Sequence, residues 1–202
     1  MKFCLIIIYL VWTGLSANAT IHHVGSNREF ANLKDAIDNA SPYDTVMVHG
    51  GYYAEGNIVI SKTLTLLGIG RPVLDGQENS EIISVNADST RIEGFELRNS
   101  GKSSTIDYAA IKLYDLTGAV ISNNHIENSF FGVYAQNSSH CEISLNEIRA
   151  YESTEQRSAN GIHCWKCNGM KIIANEIQGH RDGIYFEFVT HSIIWRNRSH
   201  DN

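Results

Sequence analysis

Residues 161–179 read GIHCWKCNGMKIIANEIQG, and residues 183–201 read GIYFEFVTHSIIWRNRSHD. Laid over one another, Ile162 falls on Ile184, Ile172 on Ile194, and Asn175 on Asn197. Two earlier stretches join the same register: 132–150, GVYAQNSSHCEISLNEIRA, and 110–128, AIKLYDLTGAVISNNHIEN. The columns are then Ile111/Val133/Ile162/Ile184, Ile121/Ile143/Ile172/Ile194 and Asn124/Asn146/Asn175/Asn197. A fourth, Ile126/Ile148/Ile177, is broken by Ser199. Every column advances by 22, 29 and 22 residues, and an insertion around YESTEQR, 151–157, explains the longer step. Within each unit apolar and polar residues alternate, β-branched residues dominate, and Gly and Asn punctuate. The period is too short for helical repeats. Short strand-like units that stack their own apolar columns make a solenoid. The predicted fold is all-β: a right-handed parallel β-helix with coils of roughly 22 residues and Ile, Val and Leu inside. The Asn column is expected at a turn, tolerating left-handed backbone angles and bonding amide to amide between coils.

The same grammar runs upstream less regularly, with Ile92 and Leu97 one long step before Ile121 and Ile126. In SNREFANLKDAIDNA, 26–40, the residues Phe30, Leu33, Ala36 and Ile37 lie on one helical stripe that Ser26 or Asn27 can cap. A short helix here fits a cap over the open solenoid end. Domain limits follow: signal peptide 1–19, N-terminal cap 20–60 and coils 61–202. The signal peptide rests on Lys2, the apolar run Phe3–Trp12 and the small-x-small site ending at Ala19. The mature chain is therefore expected to be exported. No comparable cap follows the last coil, so the natural protein is expected to continue past Asn202.

The net charge of −6 argues against a nucleic-acid surface, which needs a basic face. With Cys4 in the signal peptide, Cys141, Cys164 and Cys167 remain. An odd count in an oxidising compartment leaves a free thiol, a metal ligand or an intermolecular bridge.

With Ile162 and Ile184 inside, strand alternation sends Lys112/Tyr134/His163/Tyr185 outward, and Tyr114/Gln136/Trp165/Glu187 beside them. Trp165, Asp182, Tyr185 and Glu187 are thus candidate partner-contacting residues on a flat, rigid face. A solvated sheet with cross-coil aromatic pairs is the simpler reading. Cys164-Trp165-Lys166-Cys167 is a C-x-x-C, suited to redox work or to a soft metal such as Cu(I), with His163 as a neighbouring ligand. Register also puts Cys164 in an inward column, where a core cysteine is the plainer role. The nine histidines show no H-x-H or H-E-x-x-H spacing. His140 and His191 share a turn column two coils and roughly 10 Å apart, too far for direct co-ligation. Asp182 and Glu187 could form a glycosidase-like acid–base pair, but no cation stands in the next outward column.

Two longer motifs are more particular. NGIHCWKCNGMKIIANEIQGHRDGIYFEFVTHSIIWRNRS, 160–199, closely resembles the NosD family, and GNIVISKTLTLLGIGRPVLDG, 56–76, resembles that family's opening coils. The resemblance implies a right-handed β-helix in a periplasmic accessory protein for maturation of nitrous oxide reductase. It implies copper as the metal handled. It implies as partners an ABC transporter made of an ATPase and a membrane subunit, a copper-donating lipoprotein, and nitrous oxide reductase itself. Catalysis is not expected. The alternative is a carbohydrate-active β-helix enzyme, a polysaccharide lyase or uronate epimerase. A purely structural or adhesive solenoid is a third reading.

Overall fold

The computed structural model describes residues 19–103, 105–151 and 158–202. Residues 1–18 of the expected signal peptide and most of the YESTEQR insertion therefore lie outside the described residues. Three parallel sheets run the length of the molecule. The first contains eight strands, from Ile21–Val24 and Thr45–His49 to Lys171–Ile173 and Ile193–Trp195. The second contains seven, from Tyr52–Tyr53 to Arg198–His200. The third contains six, from Ile58–Ile60 to Asp182–Glu187. A coil visits them in turn: Val120–Ser122, His125–Glu127 and Phe131–Gln136, then back to the first sheet at Glu142–Ser144. This is the expected right-handed parallel β-helix.

The registers follow the sequence columns. Ile121 pairs with Ile143 and Ile143 with Ile172; Ile126 pairs with Ile148 and Ile148 with Ile177. All are fully buried. Burial of one such side chain contributes about 2–3 kcal/mol, so each column is a continuous stabilising stripe. Gly132, Gly161 and Gly183 form a column with another cause. A Cβ on Gly132 would strike the Gly161 carbonyl and the Ile148 side chain, and one on Gly161 would lie 2.8 Å from the Gly183 carbonyl. Neighbouring backbones need that space.

The asparagine ladder is present. Asn124 Nδ2 donates to Asn146 Oδ1 (3.1 Å), Asn146 to Asn175 (3.0 Å) and Asn175 to Asn197 (2.9 Å). Each amide oxygen also accepts a backbone N–H from the coil before it. The left-handed residue is not the ladder asparagine, however, but the one preceding it. Gly94, Asn123, Leu145, Ala174 and Arg196 have φ between 53 and 86°. The left-handed residue makes the bend, and the next residue then aims its amide along the solenoid.

The helix spans Leu33–Asn39 and buries Leu33, Ala36 and Ile37. Its cap is Asn32, whose side chain accepts from Asp35 N, rather than Ser26 or Asn27. Those two residues lie in a tight turn closed by Arg28 N to Gly25 O, which returns Phe30 to pair with Val24. The three-sheet pattern also begins before position 61. Thr45–His49, Tyr52–Tyr53 and Ile58–Ile60 already form a full coil, and Ile21–Val24 adds a strand above it. The short strands there lack the column signature seen later, so the boundary was not visible in the repeat.

Candidate functional site

The outer face of the third sheet carries the residues singled out by sequence. Strand pairing sets Lys112, Tyr134, His163 and Tyr185 side by side. Their side chains form a continuous stack. Lys112 Nζ lies 5.0 Å from the Tyr134 ring centroid. Tyr134 and His163 rings are 4.6 Å apart, and His163 and Tyr185 rings 5.0 Å apart, edge to face. Such pairs add about 0.5–1.5 kcal/mol each beyond their buried area.

The face is not uniformly open. Phe130, Phe131, Tyr134, Ala109 and Ala159 make a second, smaller apolar cluster outside the solenoid, with Trp165 against it. Tyr134 and Lys112 are buried although they point away from the main core. The accessible part is therefore the end bearing Trp165, Asp182, Tyr185 and Glu187. Tyr185 is 39% exposed. Trp165 pairs with Glu187 across the coils, and Lys166 Nζ lies 4.2 Å from the Trp165 ring. Asp182 accepts from Arg181 Nε at 3.1 Å, and Arg181 also reaches Asn160. The neighbouring cation thus holds Asp182 in an ion pair and does not complete an acid–base site.

His163 bonds Asn160 through Nδ1 (3.1 Å), while its Nε2 is enclosed without a partner. Burial pushes its pKa below the ordinary 6.5, against the pull of Glu187 and Asp107. The ring is a neutral member of the stack. Cys164 lies on the opposite side of the same strand, fully buried in the core, and Cys167 is buried there too. The thiol of Cys164 is pushed well up by its hydrogen bond to Cys167 and by burial. Cys141 is also a free core thiol, pushed up to about 11 by burial. So His163 and the C-x-x-C do not converge on a metal, because successive strand residues face opposite ways. Among the described residues no group of three His, Cys, Asp or Glu side chains is placed to hold a metal ion. His140 and His191 line one open hollow of about 460 Å³ with Asn168, Gly169 and Lys171, on a different edge.

A polar network nearby gave no sequence signal. Glu81, nearly buried, accepts from Tyr114 Oη at 2.6 Å and from Ser84, and pairs with Lys112 at 3.2 Å. Lys112 also donates to the Asp107 carbonyl (2.7 Å). Glu81 comes from an irregular stretch outside any column, so nothing marked it. Acid, cation and phenol are together, but the acid bonds both of the others; Glu81 and Lys112 are covered and Tyr114 is half-buried. The network ties Glu81 and the Asp107 carbonyl, both outside the strands, to the sheet.

Residues 79–202 match the family model described as periplasmic copper-binding protein (NosD). A protein named probable ABC transporter binding protein NosD from Pseudomonas aeruginosa is 31% identical over 135 residues, covering 66% of this chain and 31% of that protein. A cell surface glycoprotein of Methanothermus fervidus is 30% identical over 135 residues, covering 64% and 21%. The chain spans less than a third of the length of these curated relatives. Among solved structures, a rhamnogalacturonan lyase shares the fold with a TM-score of 0.56 at 11% identity, over 86% of this chain and 62% of that one. That likeness speaks to the β-helix and not to chemistry. Among the described residues no helix is long and apolar enough to cross a membrane. A family match over more than half the chain, on the coils that carry the stacked face, places this protein in the NosD family.

Proposed function

We propose that this protein is an exported, non-catalytic accessory protein that helps deliver copper for maturation of nitrous oxide reductase. On this reading it docks on the ATPase–membrane-subunit assembly of an ABC transporter, and copper is cargo passed on from a copper-donating lipoprotein. The observation that carries the reading is the NosD family match over residues 79–202. The relatives' name, probable ABC transporter binding protein NosD, supports the choice of partner. The geometry supplies a surface for it: Trp165, Tyr185 and Glu187 stand on a stiff sheet, with His163 locked behind them. Large aromatic side chains on a rigid frame lose little entropy on binding, which suits a docking surface. The test is co-purification of the transporter subunits with the exported protein. A Trp165→Ala/Tyr185→Ala variant should lose most of the transporter while its circular dichroism spectrum remains that of the folded β-helix. Undiminished capture by that variant would remove the face from the proposal.

The second reading is a polysaccharide lyase or epimerase, favoured by the Glu81–Lys112–Tyr114 constellation. It ranks lower because Glu81 and Lys112 are buried, Tyr114 is half-buried, and Glu81 bonds both of the others. Unsaturated products from pectate, rhamnogalacturonan or alginate would reverse that ranking.

A further inference from the structure

His23 and His49 lie on neighbouring strands of the first sheet, outside the span of the family match. His23 Nδ1 and His49 Nε2 are 3.0 Å apart, and the rings stack at 5.3 Å with planes 25° apart. Alternation along Thr45–His49 buries Val46 and Val48 and turns Thr45, Met47 and His49 outward. Met47 is the direct strand partner of His23. Two imidazoles and one thioether therefore share a single half-buried patch.

Which ion suits them follows from the surroundings. Glu29, the carboxylate bonded to the His23 backbone, is occupied: Oε1 bonds His22 and Oε2 accepts His23 N. Asp44 is taken by Thr20, Ser41 and His22. Both of these carboxylates are thus already bonded, which disfavours a hard cation. Arg28 is close enough to disfavour added positive charge at His49, which penalises a divalent ion more than a monovalent one. Imidazole and thioether together select a soft ion. We propose that His23 Nδ1, His49 Nε2 and the Met47 sulfur form a Cu(I) site. Binding needs no net proton loss. The single N–H shared between the rings moves to the outer nitrogen of its own imidazole, leaving two inward lone pairs, and both rings stay neutral. Protonation of either ring competes with the metal. Around the pair, Arg28 acts on His49 through space, Glu29 accepts the His23 backbone N–H, and Tyr53 Oη donates to the His49 carbonyl, while His22 alternates to the other side of the strand.

This inference stands on the patch itself and does not depend on the transporter-docking role. The test is anaerobic Cu(I) titration of the exported protein against bicinchoninate, with X-ray absorption at the copper edge. The expected result is one Cu(I) per chain with nitrogen and sulfur scatterers. His23→Gln and His49→Gln should each weaken binding at least tenfold, and Met47→Leu should remove the sulfur scatterer. His163→Ala and Cys164→Ser/Cys167→Ser should bind as wild type. Met47→Leu preserves size and apolarity, so its readout survives even where a histidine variant misfolds. Absence of competitive binding would overturn the site. So would binding unchanged by both histidine variants, or binding and sulfur lost only with the cysteines. A positive result beside failed transporter capture would leave the site standing and sink the docking role.

Discussion

Asn146 shows what one interior side chain does. It is almost fully buried, donates to Asn175 Oδ1 and the Ile121 carbonyl, and accepts from both the backbone and side-chain nitrogens of Asn124. Its removal orphans groups on two neighbouring coils, and each buried unpaired group costs about 1–3 kcal/mol. Asn146→Ala should therefore lower unfolding stability by about 2–4 kcal/mol in urea denaturation. A loss below 1 kcal/mol would mean that water replaces the ladder. His180 is a second case. It is buried, with Nδ1 3.3 Å from the Ala159 carbonyl and Nε2 unpartnered. Burial, only partly offset by the Ala159 bond, lowers its pKa from 6.5 to about 4. The sign follows from linkage: the unfolded chain takes up a proton near 6.5, and the folded chain resists until about 4. Stability is thus fully present above 6.5 and falls as the pH drops from there to about 4, by a total of about 3 kcal/mol. His180→Leu should flatten that part of the stability–pH curve.

At the scale of the element, the left-handed column tests the turn. Leu145 and Ala174 occupy it at φ 57 and 53°. An L-residue there costs about 1–2 kcal/mol relative to a permitted conformation, part of which glycine gives back in chain entropy. Leu145→Gly and Ala174→Gly should each stabilise by about 0.5–1 kcal/mol in chemical denaturation. Gly161→Ala, in the crowded column, should destabilise by 2 kcal/mol or more, since the displaced neighbours are backbone and a core isoleucine. These positions also show how far the sequence could be read. The Ile and Asn columns were legible because one physical demand recurs at one register. The bend was not, because its seat is filled by Gly, Asn, Leu, Ala and Arg in turn. The Asn123–Asn124 doublet moreover invites assigning both roles to one residue. The stacked face was readable by alternation, as was the inward direction of Cys164. The covering by Phe130 and Phe131 was not, since it depends on excursions between columns. The His23–His49 contact joins strands separated by the capping helix, where no period relates one position to the other.

Across the 202-residue polypeptide taken by itself, stability is expected to be graded. In a solenoid each coil contacts only its neighbours, so local stability depends on having one on both sides. Ile143 and Ile194 occupy the same column with the same chemistry, yet Ile143 is fully buried and Ile194 is 52% exposed. Ile193 and Trp195 beside it, and Phe188 at the preceding turn, are more than half exposed as well. Opening this coil forfeits little apolar burial and only one ladder of backbone bonds. Opening the coil of Ile143 breaks pairing with Ile121 and Ile172 together. Ile143→Ala should therefore cost about 3–4 kcal/mol, within the range for a fully buried aliphatic side chain, and Ile194→Ala under 1 kcal/mol. Native-state hydrogen exchange reads the same gradient without mutation. In the polypeptide 1–202 by itself, amides of 193–200 should exchange at least tenfold faster than those of 142–149, through local rather than global opening. Equal protection in the two segments would show that the chain opens as one cooperative unit, contrary to a nearest-neighbour solenoid.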